Sequence, residues 1–418
     1  MIEETKNEPE TTFGNKLIFL LFGIGALLTY NAFLTELPFF NKYLTDFVPG
    51  KTIPFLNFTL NITFQLLIIC KKDLFELKKQ LFIGLISSII LLILIPLMVT
   101  SLPENSIQNM IVTSILILIM GFINALLTSG FYALASFFPT EIIVSLNTGM
   151  AVAGILMNVI QYIVLISIDN TKIDIIALTF FSISGFILLL CLIILIFQFK
   201  TIYFKFYLKP LDKTVIEDNS EKLTSGASDS EKITSDKDST KKQNIEMGFY
   251  EMFKVLRAID LLGMYIYIVT ASLYPNLMIN LNLFNMENSY NINTILLLIN
   301  ICDTIGRYMV VKVNPTKILT SIVILSRTII IGTCFLNFYL QKQDVNINST
   351  SIFVLFNIIA LAITNGVGTS LCFRIAPTLV EDEYKGQAGA SISFFATLGT
   401  FLGTILAFLT DYIMGLLS

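Results

Sequence analysis

Three observations predict an all-α polytopic membrane protein. Apolar runs of about twenty residues recur along the 418-residue chain, each long enough to cross the hydrocarbon core as a helix. Only 14% of the residues are charged and 55% are hydrophobic, whereas a soluble domain carries roughly a quarter charged residues. Lysine and arginine are distributed unevenly between alternate loops, as the positive-inside rule requires. The expected architecture is eleven transmembrane helices in a 6+5 arrangement of two bundles.

The runs lie at about 17–37, 54–70, 81–100, 108–136, 143–167, 174–199, 259–280, 291–311, 316–339, 351–373 and 387–416. They divide the chain into a cytoplasmic tail (1–16), a six-helix bundle (17–199), a cytoplasmic loop (200–257) and a five-helix bundle (258–418). With the N-terminus inside, cytoplasmic segments hold 22 of the 27 basic residues, which leaves the C-terminus outside. The long loop is basic at both ends and polar between them (DKTVIEDNSEKLTSGASDSEKITSDKDSTKKQN). Its middle lacks the apolar residues for a core and is expected to be disordered; its basic ends are expected against anionic headgroups. Of three glycosylation sequons, those at Asn57 and Asn61 fall at the start of a span, and Asn348 falls in an outside loop.

Composition also excludes functions. A net charge of −3 leaves no basic footprint for nucleic acid. The absence of histidine removes imidazole relays and His-ligated metals. The five cysteines show no CxxC spacing, so neither a zinc site nor a disulfide framework is expected. There is no P-loop, HExxH or GxSxG, so the chain reads as a non-enzyme that needs no cofactor. No obligate protein partner is evident, and the lipid bilayer is the expected surrounding.

The polar residues inside the runs are the candidates for function. In run 8, Asn300, Asp303 and Arg307 share one helix face, and charges at that depth normally face an interior or a wet pathway. Arg327, central in run 9, needs a counter-charge; Asp303 is the deep acid of that half, so Asp303 is expected to be shared by Arg307 and Arg327. In run 1, Tyr30 and Asn31 place a ring beside an amide. That pair reads either as an interfacial tyrosine with an interhelical amide, or as a platform that stacks on a planar heterocycle. In run 4, Asn124 and Thr128 read on spacing alone as helix–helix contacts. Scattered interior polar groups between two bundles suit a secondary transporter with substrate near the midplane.

At this point specific segments carry a resemblance. GIGALLTYNAF in run 1, LYP in run 7, NICDTIGR in run 8, LSR in run 9, TNGVGTSLCFRIAP in run 10 and GQAGASISFFATLGTFLGT in run 11 together resemble the equilibrative nucleoside transporter family. The resemblance implies a fold related to the major facilitator superfamily with its last helix missing. It implies a facilitative transporter moving nucleosides, with nucleobases as further cargo, by alternating access; the plasma membrane is the default location and an internal membrane the alternative. By the same resemblance, Asp303 and Arg307 match the acid and base that contact ribose hydroxyls or hold the site's geometry, and Asn300 a site-lining amide. Tyr30, Asn31 and Leu34 stand at site-lining positions of run 1. Thr128 stands where relatives read the base with a glutamine, which leaves base recognition to differ or to fall to Asn124. The rival readings are proton-coupled uptake, carriage of another polar solute such as a sugar, and a non-transporting scaffold or receptor organised by the central loop.

Overall fold

The computed structural model describes residues 9–70, 76–169, 172–208, 248–274, 276–310 (apart from 280, 282 and 285), 313, 316–343, 347–381 and 384–416. The central loop over 209–247, the expected kink at Pro275 and the side chain of Asn348 lie outside them. The long helices are α1 (Phe13–Thr35), α3 (Pro49–Cys70), α4 (Leu77–Ser101), α5 (Ile107–Ser136), α6 (Thr140–Ser167) and α7 (Ile173–Gln198), then α9 (Phe249–Leu273), α11 (Asn288–Met309), α12 (Lys317–Lys342), α13 (Ile347–Ile375) and α14 (Lys385–Leu416). Short helices α2 (Leu37–Tyr43), α8 (202–208) and α10 (Asn276–Ile279) connect them.

Eight of these helices are long and apolar enough to cross a membrane. The other three long ones, α3, α9 and α11, have 22, 25 and 22 residues, but each is diluted by amides or charges. In α3 these are Asn57, Asn61 and Gln65; in α9, Glu251, Lys254, Arg257 and Asp260; in α11, Asn291, Asn293, Asn300, Asp303 and Arg307. The surface confirms an integral membrane protein by inversion of the soluble pattern. Ile83, Ile86, Ile90, Ile93 and Leu97 of α4 and Ile318, Ile322, Leu325 and Ile329 of α12 face outward. Asn57, Asn124, Gln161, Asn293, Asp303 and Arg327 are buried. Outward apolar faces with inward polar groups are what a lipid solvent demands.

Missing side chains set the closest helix contacts. A Cβ on Gly149 of α6 would sit 1.9 Å from the carbonyl oxygen of Leu20 on α1, and one on Gly23 of α1 would meet that of Leu146 at 2.0 Å. The same construction joins α3 to α5 at Gly121, α9 to α14 at Gly399 and α11 to α13 at Gly306 and Gly366. Small residues that let backbones touch are the usual glue where lipid offers no hydrophobic drive between helices.

Two departures from the sequence reading stand out. Run 1 does not continue to residue 37 as one helix: α1 stops at Thr35 and the chain turns at Glu36 into α2, with Pro38 in its first turn. The start of the central loop is more than a basic strap. Phe204 of α8 is buried with its ring 5.6 Å from that of Phe19 and 5.0 Å from that of Phe138, and the Tyr203 hydroxyl meets Thr11 at 3.2 Å. Aromatic burial of this kind outweighs headgroup attraction.

Candidate functional site

Along α11 the spacing of polar residues places Asn300, Asp303 and Arg307 on successive turns. Arg307 donates from Nε to Asp303 Oδ2 at 2.8 Å, and the two side chains are 15% and 12% exposed. Asp303 Oδ1 accepts from Asn365 Nδ2 of α13 at 2.7 Å. Gly366 makes this approach possible, because a Cβ there would lie 2.1 Å from the Asp303 carbonyl oxygen. Asn365 was not among the sequence candidates; its signal was the adjoining glycine in TNG.

The Arg307 guanidinium uses only its Nε in that pair. Among the described residues no side chain or carbonyl accepts from its Nη groups. The hydroxyls of Tyr132 (α5) and Tyr267 (α9) lie within electrostatic reach of it. Tyr132 also stacks on Phe373 of α13, with ring centroids 5.8 Å apart, and bonds Asn147 of α6.

Arg327 corrects an expectation, because it does not pair with Asp303. It is fully buried on α12 and donates to the Leu361 carbonyl at 3.1 Å, to Thr364 Oγ1 at 3.0 Å, to the Ile266 carbonyl at 3.4 Å and to Thr270 Oγ1. The physical reason is position: α13 and α9 stand between α12 and α11, and their carbonyls and threonines reach the guanidinium first. The link to Asp303 is a relay, in which Thr270 Oγ1 bonds Asn365 Oδ1 at 2.7 Å and Asn365 bonds Asp303.

Asn300 turns its Nδ2 to the Leu296 carbonyl and packs on Gly154 of α6, where a Cβ would sit 2.3 Å from its Oδ1. It therefore lies where α11 meets the first six helices. Among the described residues no hydrogen bond or ring contact joins the remaining candidates to the charged pair, although Tyr274 lies within electrostatic reach of both Tyr30 and Asp303. Tyr30 meets Phe58 of α3 edge-on at 5.3 Å, Asn31 donates to the Leu27 carbonyl of its own helix and Leu34 is buried. Thr128 donates back to the Asn124 carbonyl. Asn124 donates from Nδ2 to Asn57 Oδ1 at 2.8 Å, beside the Gly121 contact. Asn57, read from sequence only as a sequon, is thus an interior partner. The α3–α5 amide pair repeats the plan of the α11–α13 pair, with an amide where the latter has a carboxylate.

Comparison with known proteins accords with this arrangement. The model of the nucleoside transporter family matches residues 114–412. The chain is 24% identical over 406 residues to equilibrative nucleotide transporter 4 of Arabidopsis thaliana, covering 94% of this chain and 93% of that one. It is 24% identical over 427 residues to equilibrative nucleotide transporter 5 of the same plant, covering 98% of each. Among solved structures it resembles a D-xylose–proton symporter, with TM-score 0.64, 12% identity and coverage of 96% and 97%. It also resembles the major facilitator superfamily proton:xylose symporter XylE, with TM-score 0.62, 14% identity and coverage of 97% and 90%. These likenesses establish an all-helical major-facilitator-like fold.

Proposed function

The chain belongs to the nucleoside transporter family, and we propose that it is a facilitative carrier of nucleosides, and of nucleobases as smaller cargo, working by alternating access. The single observation that carries this reading is the free edge of Arg307. A guanidinium only 15% exposed, held by its Nε to Asp303 and without a described acceptor for its Nη groups, offers two parallel donors in a shielded place. Beside it, the carboxylate oxygens of Asp303 retain lone pairs after accepting one bond each. A ribose diol can accept from the one and donate to the other through charge-assisted bonds. On this reading the neighbouring Tyr267, and the face of Tyr132 that Phe373 leaves uncovered, stack on the planar base.

The pair is neutral as a unit, and Arg327 is occupied by carbonyls and threonines. A neutral nucleoside matches that balance better than a nucleotide, whose phosphates would call for more cations. Asn300, Tyr30, Asn31, Leu34, Thr128 and Asn124 are read as lining positions of the same pathway, and Arg327 as a positioning residue behind it. We read α3, α9 and α11 as spans alongside the eight apolar ones, giving a 6+5 arrangement with the N-terminus cytoplasmic. On that reading Tyr162, Thr294 and Phe55 lie toward the outer surface, Tyr132 and Phe373 toward the cytoplasm, and the plasma membrane is the expected location.

The test is uptake of radiolabelled adenosine, uridine and hypoxanthine into proteoliposomes, wild type beside Asp303→Asn. Saturable uptake of at least one nucleoside that equilibrates without accumulating, and is lost or weakened in Asp303→Asn, is the expected result. Absence of saturable uptake of all three would overturn the function.

A further inference from the structure

Where α1 ends, the chain buries an acid that the transport site does not use. Glu36 is 1% exposed, and its Oε1 has no hydrogen-bond partner. Gln161 of α6 is 2% exposed; its side-chain amide is within hydrogen-bond reach of the Glu36 carboxylate, while its Oε1 is unpartnered. Both residues line a cavity of about 20 Å³, room for a single water-sized group. Phe39, Leu165 and Ile176 form its apolar wall, and Ser289, in the first turn of α11, lines it from the other side of the interface. The cavity therefore lies between the first six helices and α11, at the end of the interface where Tyr162 meets Thr294.

The surrounding charges do not reach Glu36. On α2 and α7, Lys42 and Tyr43 bond Asp174 at 2.9 and 2.7 Å, and the bond to Asp174 holds the Lys42 ammonium above its usual range. Glu287, before α11, and Lys172, before α7, are exposed. Tyr162 and Tyr290 face each other at 6.3 Å, and the Tyr162 hydroxyl is engaged with Thr294. Among the described residues no lysine or arginine pairs with Glu36.

An ionised carboxylate enclosed without a cation is costly. The cavity also presents two unmet acceptors. One proton meets both needs: it removes the charge and turns Glu36 into a donor. We propose that Glu36 is a proton-binding site loaded from the side on which α1 ends, so that closing the carrier on that side takes up one proton from water. Opening returns the proton to the same side when the first turn of α11 parts from α1 and α6. The proton is then a ligand of the closed gate and is not carried across, so flux responds to pH on one side without being driven by a pH gradient. This rests on the alternating-access reading above.

The experiment uses the full chain in liposomes carrying Ser289→Cys, with and without Glu36→Gln, labelled by a membrane-impermeant maleimide. The ratio of the two labelling rates at each pH cancels the part of the thiol's titration common to both; the remaining part, an ionised Glu36 holding the thiol protonated, slows labelling at high pH and so runs opposite to the expected trend. The ratio should fall as that side is acidified between about pH 8.5 and about pH 5.5, by at most about tenfold per pH unit for one linked proton. It should reach about one at the acid end, where Gln and protonated Glu are equivalent. It should ignore the pH of the opposite side and replacement of sodium by choline. A ratio constant with pH, or one that follows sodium, overturns the proposal. If Glu36→Gln does not fold, labelling of Ser289→Cys normalised to a small free thiol gives the same readout. Labelling requires no substrate, so a pH-dependent ratio in a protein that moves no nucleoside would refute the transport reading and leave the proton site standing. Nucleoside uptake with a flat ratio would do the reverse.

Discussion

Arg307 and Arg327 are both guanidiniums enclosed by helices, and what they touch gives them different work. Arg327 spends its two Nη groups on the Leu361 and Ile266 carbonyls and on Thr364 and Thr270, leaving its buried Nε unpartnered, and so ties α12 to α13 and α9. Lysine carries the charge but not the planar fork, so Arg327→Lys abandons bonds worth about 1.5–3 kcal/mol each. The expected outcome is a lower melting temperature with a nearly unchanged KM for nucleoside, read by thermal unfolding in detergent beside uptake. Arg307 keeps donors in reserve, so its loss should appear in substrate discrimination. Wild type should prefer a ribonucleoside to its 2′,3′-dideoxy analogue by about tenfold to a hundredfold in kcat/KM, the value of one charge-assisted bond. In Asp303→Asn or Arg307→Lys that preference should collapse toward one. If a surviving variant keeps the full preference, the pair holds only itself.

Helices in this molecule meet through absent side chains, and this gives glycines unequal weight. Gly306 and Gly366 interlock: a Cβ on the first would meet the Ile363 carbonyl at 2.4 Å and one on the second the Asp303 carbonyl at 2.1 Å. Backbone cannot move aside as a side chain can, so Gly366→Ala should force α11 from α13 at about 1–3 kcal/mol and pull Asn365 from Asp303. Gly185 and Gly332 face open space, and alanine there should leave stability and uptake unchanged. Gly154 differs, since its obstacle is the Asn300 side chain across the interface. Gly154→Ala should lower the melting temperature in detergent, and Asn300→Ala should restore it in the double variant, because the clash belongs to that pair. A double variant no more stable than Gly154→Ala alone would show that Gly154 is needed for another reason. The helices, their order and the Asp303–Arg307 spacing were legible because period and hydropathy are local properties. Asn57 and Asn365 were not, because what makes each matter is a partner on a different helix, Asn124 for the first and Asp303 for the second. The burial of Phe204 was hidden for the same reason, since Phe19 and Phe138 are distant in sequence, whereas the break at Glu36 had a local signal in Pro38.

At the scale of the whole molecule, the first six helices and the last five touch at both ends of the interface. At one end the Tyr162 hydroxyl bonds Thr294, and Phe55 stacks on Phe401 at 5.8 Å and meets Phe408 edge-on at 5.7 Å. At the other, Tyr132 stacks on Phe373. A carrier that rocks about a central site must break one set while keeping the other. The family could be read from the sequence, but these contacts could not, because they belong to one conformation. Weakening either set should therefore tilt the same equilibrium in opposite directions. Thr294→Val removes a hydrogen bond and Phe373→Ala a ring pair, each worth about 0.5–1.5 kcal/mol, hence about twofold to tenfold in population. Labelling of Ser289→Cys should quicken by that factor in the Thr294→Val background and slow in the Phe373→Ala background. The combination should return near the starting rate. Two shifts of the same sign would mean that the ends open independently, and a rocking carrier would be the wrong description of the molecule.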